Sequence, residues 1–189
     1  HKVDRRISVS HLFRYASGDV PEFQQDNVST VTPISGLLGQ IFTGIFGLGT
    51  CEFSGMGFND PTTGELSAKV LSQFKNWPDL WSCLPKRLAP HEPLGTLTEE
   101  ACRWAGFPAD WAGALVAPPE GDQCMGRYGL GARKSHAGLV VGSSIVLTLE
   151  GDQHVEDSTG TVDFFSSGFG YALDMGLLSA GMRVGDRFR

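Results

Sequence analysis

Apolar residues first recur at helical spacing over residues 34–42, where Ile34, Leu37, Leu38, Ile41 and Phe42 share one face. Thr32 stands as the N-cap, Pro33 suits the first helical position, and Gly44 is placed to end the run, so the pattern predicts a core helix. Residues 45–58 are mixed and glycine-rich, which predicts a strand and a loop. Glu52 lies within that segment, and an isolated glutamate there more often faces solvent. Asn59-Asp-Pro-Thr-Thr-Gly64 is a turn, with Asn and Asp able to bond their own backbone. Leu66, Val70, Leu71 and Phe74 then mark a short amphipathic helix that stops before Pro78, with Trp77 and Trp81 as core or rim packing. Three prolines fall within residues 84–93 and predict an extended connection.

Thr98, followed by Glu99 and Glu100, is a good helix start, and Gly106 a good stop. An apolar run, Ala114-Leu-Val-Ala117, reads as a buried strand that halts at Pro118 and Pro119. Residues 136–149 read as two β-rich runs joined across Gly142-Ser-Ser144. Further on, residues 161–166 suggest a strand and residues 171–178 a helix. The first 29 residues carry little pattern: residues 7–15 are weakly apolar, residues 17–21 are turn-like, and His11 has no partner nearby in sequence and is assigned no role.

The alternation of helical and β segments indicates an α/β chain. A length of 189 residues suffices for a domain with a real core, and the 41% hydrophobic share is that of a globular protein. A formal net charge of −6 with no long basic tract argues against a nucleic-acid partner. No apolar run is long enough to cross a bilayer and no signal peptide is visible, so no membrane partner is expected. The cysteines at 51, 83, 102 and 124 have no Cys-x-x-Cys spacing and no paired histidines. They signal neither a zinc site nor a disulfide framework, and free thiols in a cytoplasmic protein are the simpler expectation.

Candidate chemistry concentrates in two places. Glu120-Gly-Asp-Gln123 follows the run at 114–117, presenting a carboxylate and an amide where a strand ends, and α/β proteins bind ligands at such crevices. Asp122 is suited to take a proton from a hydroxyl that Gln123 holds in line. The plain alternative is a turn, which Gly and Asp both favour. Gly142, Ser143 and Ser144 offer backbone N–H groups and hydroxyls to a phosphate, or simply connect a hairpin. The spacing is not that of a Walker loop. Glu150-Gly-Asp-Gln153 repeats the earlier triplet, and polar residues at a strand end explain it without a second base.

The succession Phe42-Thr-Gly44, Cys51-Glu-Phe-Ser-Gly-Met56, Asp60-Pro-Thr-Thr-Gly64, Leu94-Gly-Thr-Leu-Thr-Glu-Glu100, Gly121-Asp-Gln123 and Gly142-Ser-Ser144 resembles the middle of an FGGY-family carbohydrate kinase, the family of glycerol, xylulose and ribulose kinases. The resemblance covers about residues 30 to 150. It implies part of an actin-like (ribonuclease H-like) ATPase fold with two lobes. Residues 1–133 would be the latter part of the N-terminal, substrate lobe, and residues 134–189 the beginning of the C-terminal, nucleotide lobe.

By the same resemblance Asp122 would be the general base that deprotonates the sugar hydroxyl attacking the γ-phosphate of ATP, and Gln123 would bind the sugar. Gly142, Ser143 and Ser144 would lie near the nucleotide phosphates, with Mg²⁺ neutralising charge; the metal ligands are not identified. Leu37 departs from an aromatic position that packs on the substrate in many members, and Ser143 replaces the usual threonine while keeping the hydroxyl. The family's N-terminal phosphate loop and adenosine pocket are not recognisable here. The expectation is therefore a fragment or truncated member acting on a sugar or polyol, either homo-oligomeric or completed by the missing remainder of the kinase. The alternative is a non-catalytic sugar-binding or partner-binding relative without a complete ATP site.

Overall fold

The computed structural model describes residues 8–20, 25–60, 63–131, 136–141, 145–151, 162–166 and 172–178. The first helix, α1 (Ser8–Ala16), lies in the stretch with the weakest sequence pattern. Its Val9, Leu12 and Ala16 fall on one face and pack with Leu48, Phe53, Met56, Phe58, Phe74, Trp77 and Leu80 in the main core. The Val9 N–H also donates to the carbonyl of Met56 at 3.0 Å.

Helix α2 (Ile34–Thr43) forms where the periodicity placed it and ends on Gly44, whose φ of 79° is left-handed. Two details differ. Pro33, in extended conformation, is the N-cap, while the Thr32 hydroxyl makes no capping bond. The buried face is the glycine face: Gly36 and Gly39 are buried, whereas Ile34, Leu37 and Leu38 are exposed. A methyl at Gly39 would crowd Leu94 and Pro119, so the small residues let the helix backbone approach the segment that leads to Asp122.

Strand β1 (Gly47–Gly49) is entirely buried and runs directly into α3 (Thr50–Gly55). The expected strand and loop over residues 45–58 is thus a three-residue strand and a helix. At the expected turn, whose residues 61 and 62 lie outside the described residues, Gly64 has φ 71° and the Asp60 carboxylate accepts from the Thr63 N–H at 3.2 Å. Helix α4 (Ala68–Leu71) is capped by Ser67, which accepts from the Val70 N–H.

The proline-rich connection contains a strand, β2 (Lys86–Leu88), in parallel register with β1, Leu48 opposite Arg87. Prolines 85 and 90 flank it, leaving its N–H groups free for pairing. Strand β3 (Gly95–Thr96) pairs antiparallel with β4 (Leu115–Val116). Helix α5 (Glu99–Ala105) lies between them in sequence and keeps both expected caps, Thr98 and Gly106. The buried strand expected at 114–117 is instead half open, with Leu115 75% exposed, because its ladder is only two residues long.

Helix α6 (Asp122–Gly129) follows, and then a four-stranded antiparallel sheet of β5 (Gly138–Val141), β6 (Ile145–Gly151), β7 (Val162–Ser166) and β8 (Ala172–Leu178), in the order β5-β6-β8-β7. The β5–β6 hairpin and β7 match the sequence pattern. The helix expected at 171–178 does not form: the segment is strand β8, paired with β6 on one side and β7 on the other. Its helix-favouring residues yield to two full backbone ladders. Layers of helix and sheet make this an α/β chain.

Candidate functional site around Asp122

The chain reaches Asp122 through a corner fastened to β1 and α3. The Gly49 N–H donates to the Pro119 carbonyl at 2.7 Å, and the Glu52 N–H donates to Glu120 Oε2 at 3.0 Å. A methyl at Gly49 would collide with the Glu120 carboxyl group, so glycine is required for this close approach. Burial pushes the Glu120 carboxyl pKa above its ordinary value. The first-turn N–H groups of α3 oppose that shift, and the Glu52 carboxylate adds to it. Glu120 Oε1 is sealed from solvent and finds no donor among the described residues.

Glu52 is not a solvent-facing loop residue. It sits in the first turn of α3, half-buried, and its Oε1 accepts from the Ser35 hydroxyl at 2.6 Å. Gly121 is the N-cap of α6 and lies close to Glu52 and Cys51. Asp122 and Gln123 therefore open a helix, where a negative charge is favourable. Asp122 is exposed, and its Oδ2 accepts from the Gln123 side-chain amide at 3.2 Å. Gln123 Oε1 is buried with no donor among the described residues. An accessible carboxylate thus stands beside an amide that donates to it, and the carboxylate can receive a hydroxyl proton.

Behind Asp122, α6 is held at two further points. Cys124 is joined to Cys51 of α3 in a disulfide, both residues being buried against Tyr128. This corrects the expectation of four free thiols. The partners are 73 residues apart in sequence, and only the fold brings α3 and α6 together. Cys83 and Cys102 are free and buried. On the far side, Arg127 enters the protein interior, 1% exposed, and its Nε meets Glu150 Oε2 at 3.2 Å. Glu150 belongs to the second Glu-Gly-Asp-Gln run, so that repeat contributes an ion-pair partner.

Of the candidates read from sequence, Asp122 and Gln123 are neighbours at one site. Gly142, Ser143 and Ser144 lie outside the described residues; the strands that flank them, β5 and β6, pair with Val141 opposite Ile145. Sequence reasoning missed Ser35, Glu52 and Glu120 as one hydrogen-bonded group, and the only signal was the adjacency of Glu120 to the Gly-Asp-Gln triplet. Among the described residues, no group of three or more His, Cys, Asp or Glu is arranged to hold a metal ion. No helix there is long and apolar enough to cross a membrane.

No protein-family model matches the chain, and no curated protein matches it in sequence. The fold has clear counterparts among solved structures. A ligand-bound xylulose kinase from Lactobacillus acidophilus superposes with a TM-score of 0.79 at 18% identity, over 95% of this chain and 35% of that one. A gluconate kinase from the same organism gives 0.79 at 19% identity, over 98% of this chain and 36% of its own. Plasmodium falciparum glycerol kinase with ADP gives 0.67 at 15% identity, over 94% and 42%. The resemblance to sugar kinases read from the order of motifs is borne out at the level of the fold. The chain spans between 35% and 42% of the length of these three structures.

Proposed function

We propose that this chain is part of an ATP-dependent carbohydrate kinase with a two-lobed, actin-like fold, transferring a phosphoryl group to a hydroxyl of a sugar or polyol. The observation that carries this reading is the exposed Asp122 carboxylate, hydrogen-bonded by the Gln123 amide at the start of α6, in a fold shared with sugar kinases. Asp122 is the base that removes the hydroxyl proton, and Gln123 hydrogen-bonds the sugar. Residues 1–133 then form the latter part of the substrate lobe and residues 134–189 the start of the nucleotide lobe. Bound ATP and Mg²⁺ supply the phosphoryl group and charge neutralisation, with Gly142, Ser143 and Ser144 near the phosphates. The same reading places the chain in the cytoplasm.

The coverage of 35% to 42% favours a second reading, in which the isolated chain binds a sugar or a partner without turning over ATP. ATP consumption by the purified chain against pentuloses, hexuloses and polyols separates the two, with Asp122→Asn as control. Sugar-dependent turnover that disappears in Asp122→Asn, while sugar binding persists, supports the kinase. Absence of turnover with every sugar, alone and with the remainder of the kinase supplied, sinks it.

A further inference from the structure

We propose that the Cys51–Cys124 pair is a thiol–disulfide switch that sets whether the Asp122 corner is held in place, an inference that rests on the kinase reading for its catalytic consequence. The corner is fastened to α3 on both sides of Asp122. Before it, Glu120 accepts from the Glu52 N–H; after it, Cys124 is bonded to Cys51, one residue before Glu52. Asp122 and Gln123 therefore lie inside a closed clamp whose only covalent member is the disulfide. With that bond broken, the leading end of α6 keeps the hydrogen bonds that fasten Glu120 to the Glu52 N–H and Pro119 to the Gly49 N–H, and the nearest ion pair of the helix among the described residues is at Arg127, five residues beyond Asp122.

The chemistry balances with a dithiol as reductant. One thiolate of the dithiol attacks a cysteine sulfur, the Cys51–Cys124 bond breaks, and the departing cysteine leaves as a thiolate and takes up a proton. The second thiol then attacks the mixed disulfide, the other cysteine is released as a thiol, and the dithiol ends as a cyclic disulfide. Cys51 is 4% exposed and Cys124 1% exposed, so exchange requires α6 to part from α3. If the chain is cytoplasmic, as the kinase reading has it, a bond at this position fits redox control better than permanent stapling, since cytosolic disulfides are usually transient or sensing. Cys83 and Cys102 are buried away from the clamp and play no part.

The test uses the full chain in buffers of reduced and oxidised dithiothreitol. Differential alkylation and peptide mapping report the state of each cysteine, and amide hydrogen exchange reports α6 and, as a reference, α5. The switch requires reversible opening and closing of the pair, with exchange in the first turn of α6 rising on reduction on the order of tenfold more than in α5. Cys51→Ser/Cys124→Ser should match the reduced chain at every buffer ratio. Unchanged α6 exchange overturns the proposal, as does an equal rise in α5, which marks a staple of the whole fold, or failure of the thiols to pair in oxidising buffer. Sugar-dependent ATP turnover is followed in the same samples. Measurable turnover that is equal in both states overturns the switch and leaves the kinase; an α6 response with no turnover in either state, even with the remainder of the kinase supplied, keeps the switch and removes the kinase.

Discussion

Arg127 and Glu150 form an ion pair with Nε and Oε2 3.2 Å apart and side chains only 1% and 4% exposed, tying the helix that begins at Asp122 to strand β6. Arg127 Nη1 also approaches the Thr148 carbonyl at 3.4 Å. Two charges taken out of water cost several kcal/mol each, which their attraction offsets only while both are present. Arg127→Met leaves Glu150 buried and unpaired and should lower stability by about 3–5 kcal/mol. Arg127→Met/Glu150→Leu should recover most of that loss. Denaturant unfolding of the two single variants and the double variant decides it: losses that simply add would mean the pair is not coupled.

How much of this was legible in the sequence depended on how far apart the interacting residues are. Helix α5 carries its own instructions, a Thr98 cap and a Gly106 stop, and the β5–β6 hairpin declares itself by two apolar runs around a small-residue turn. Strand β8 did not, because its composition favours a helix and only the flanking β6 and β7 ladders make it a strand. Helix α2 was located, yet its inward face was misjudged: close backbone approach selects Gly36 and Gly39 over the larger Leu37 and Leu38. At the site, Asp122 and Gln123 are adjacent in sequence and were found together. Glu52 and Cys51 lie about seventy residues earlier and join them only through the β1–α3 corner.

Loss of the disulfide should be felt in stability as well as in local motion. A cross-link between residues 73 apart restricts the unfolded chain, and the loop-closure relation gives about 4 kcal/mol for a loop of this size. Cys51→Ser/Cys124→Ser should therefore unfold at lower denaturant concentration than the oxidised chain, and reduced wild-type should follow it. Equal midpoints for the oxidised chain and the double variant would show that the bond constrains nothing in solution.

Gly49 offers a packing test of the same corner. Its φ of −68° is open to any residue, so the demand for glycine comes from space, which the Glu120 carboxyl group occupies. Gly49→Ala must push that side chain off the Glu52 N–H and should cost about 1–3 kcal/mol. In a Glu120→Ala background the obstacle is gone and the same change should cost little. Thermal melts of this cycle that show equal costs in both backgrounds would rule out the contact.

The pH dependence of folding should carry the mark of Glu120. Desolvation by burial is the largest influence on its carboxyl group and raises the folded-state pKa above the ordinary 4.5. An acid whose pKa is raised on folding binds its proton more tightly in the native state than in the unfolded chain. Its contribution is then fully favourable below pH 4.5 and is lost as pH rises through the folded-state value. Across that window stability should fall with rising pH by an amount that Glu120→Gln removes, since the amide oxygen can still accept from the Glu52 N–H without a buried charge. The comparison is the difference in unfolding free energy between the two proteins at a series of pH values upward from 4.5. It should change in favour of Glu120→Gln as pH rises and then level off; a difference that stays constant would place the Glu120 carboxylate in water.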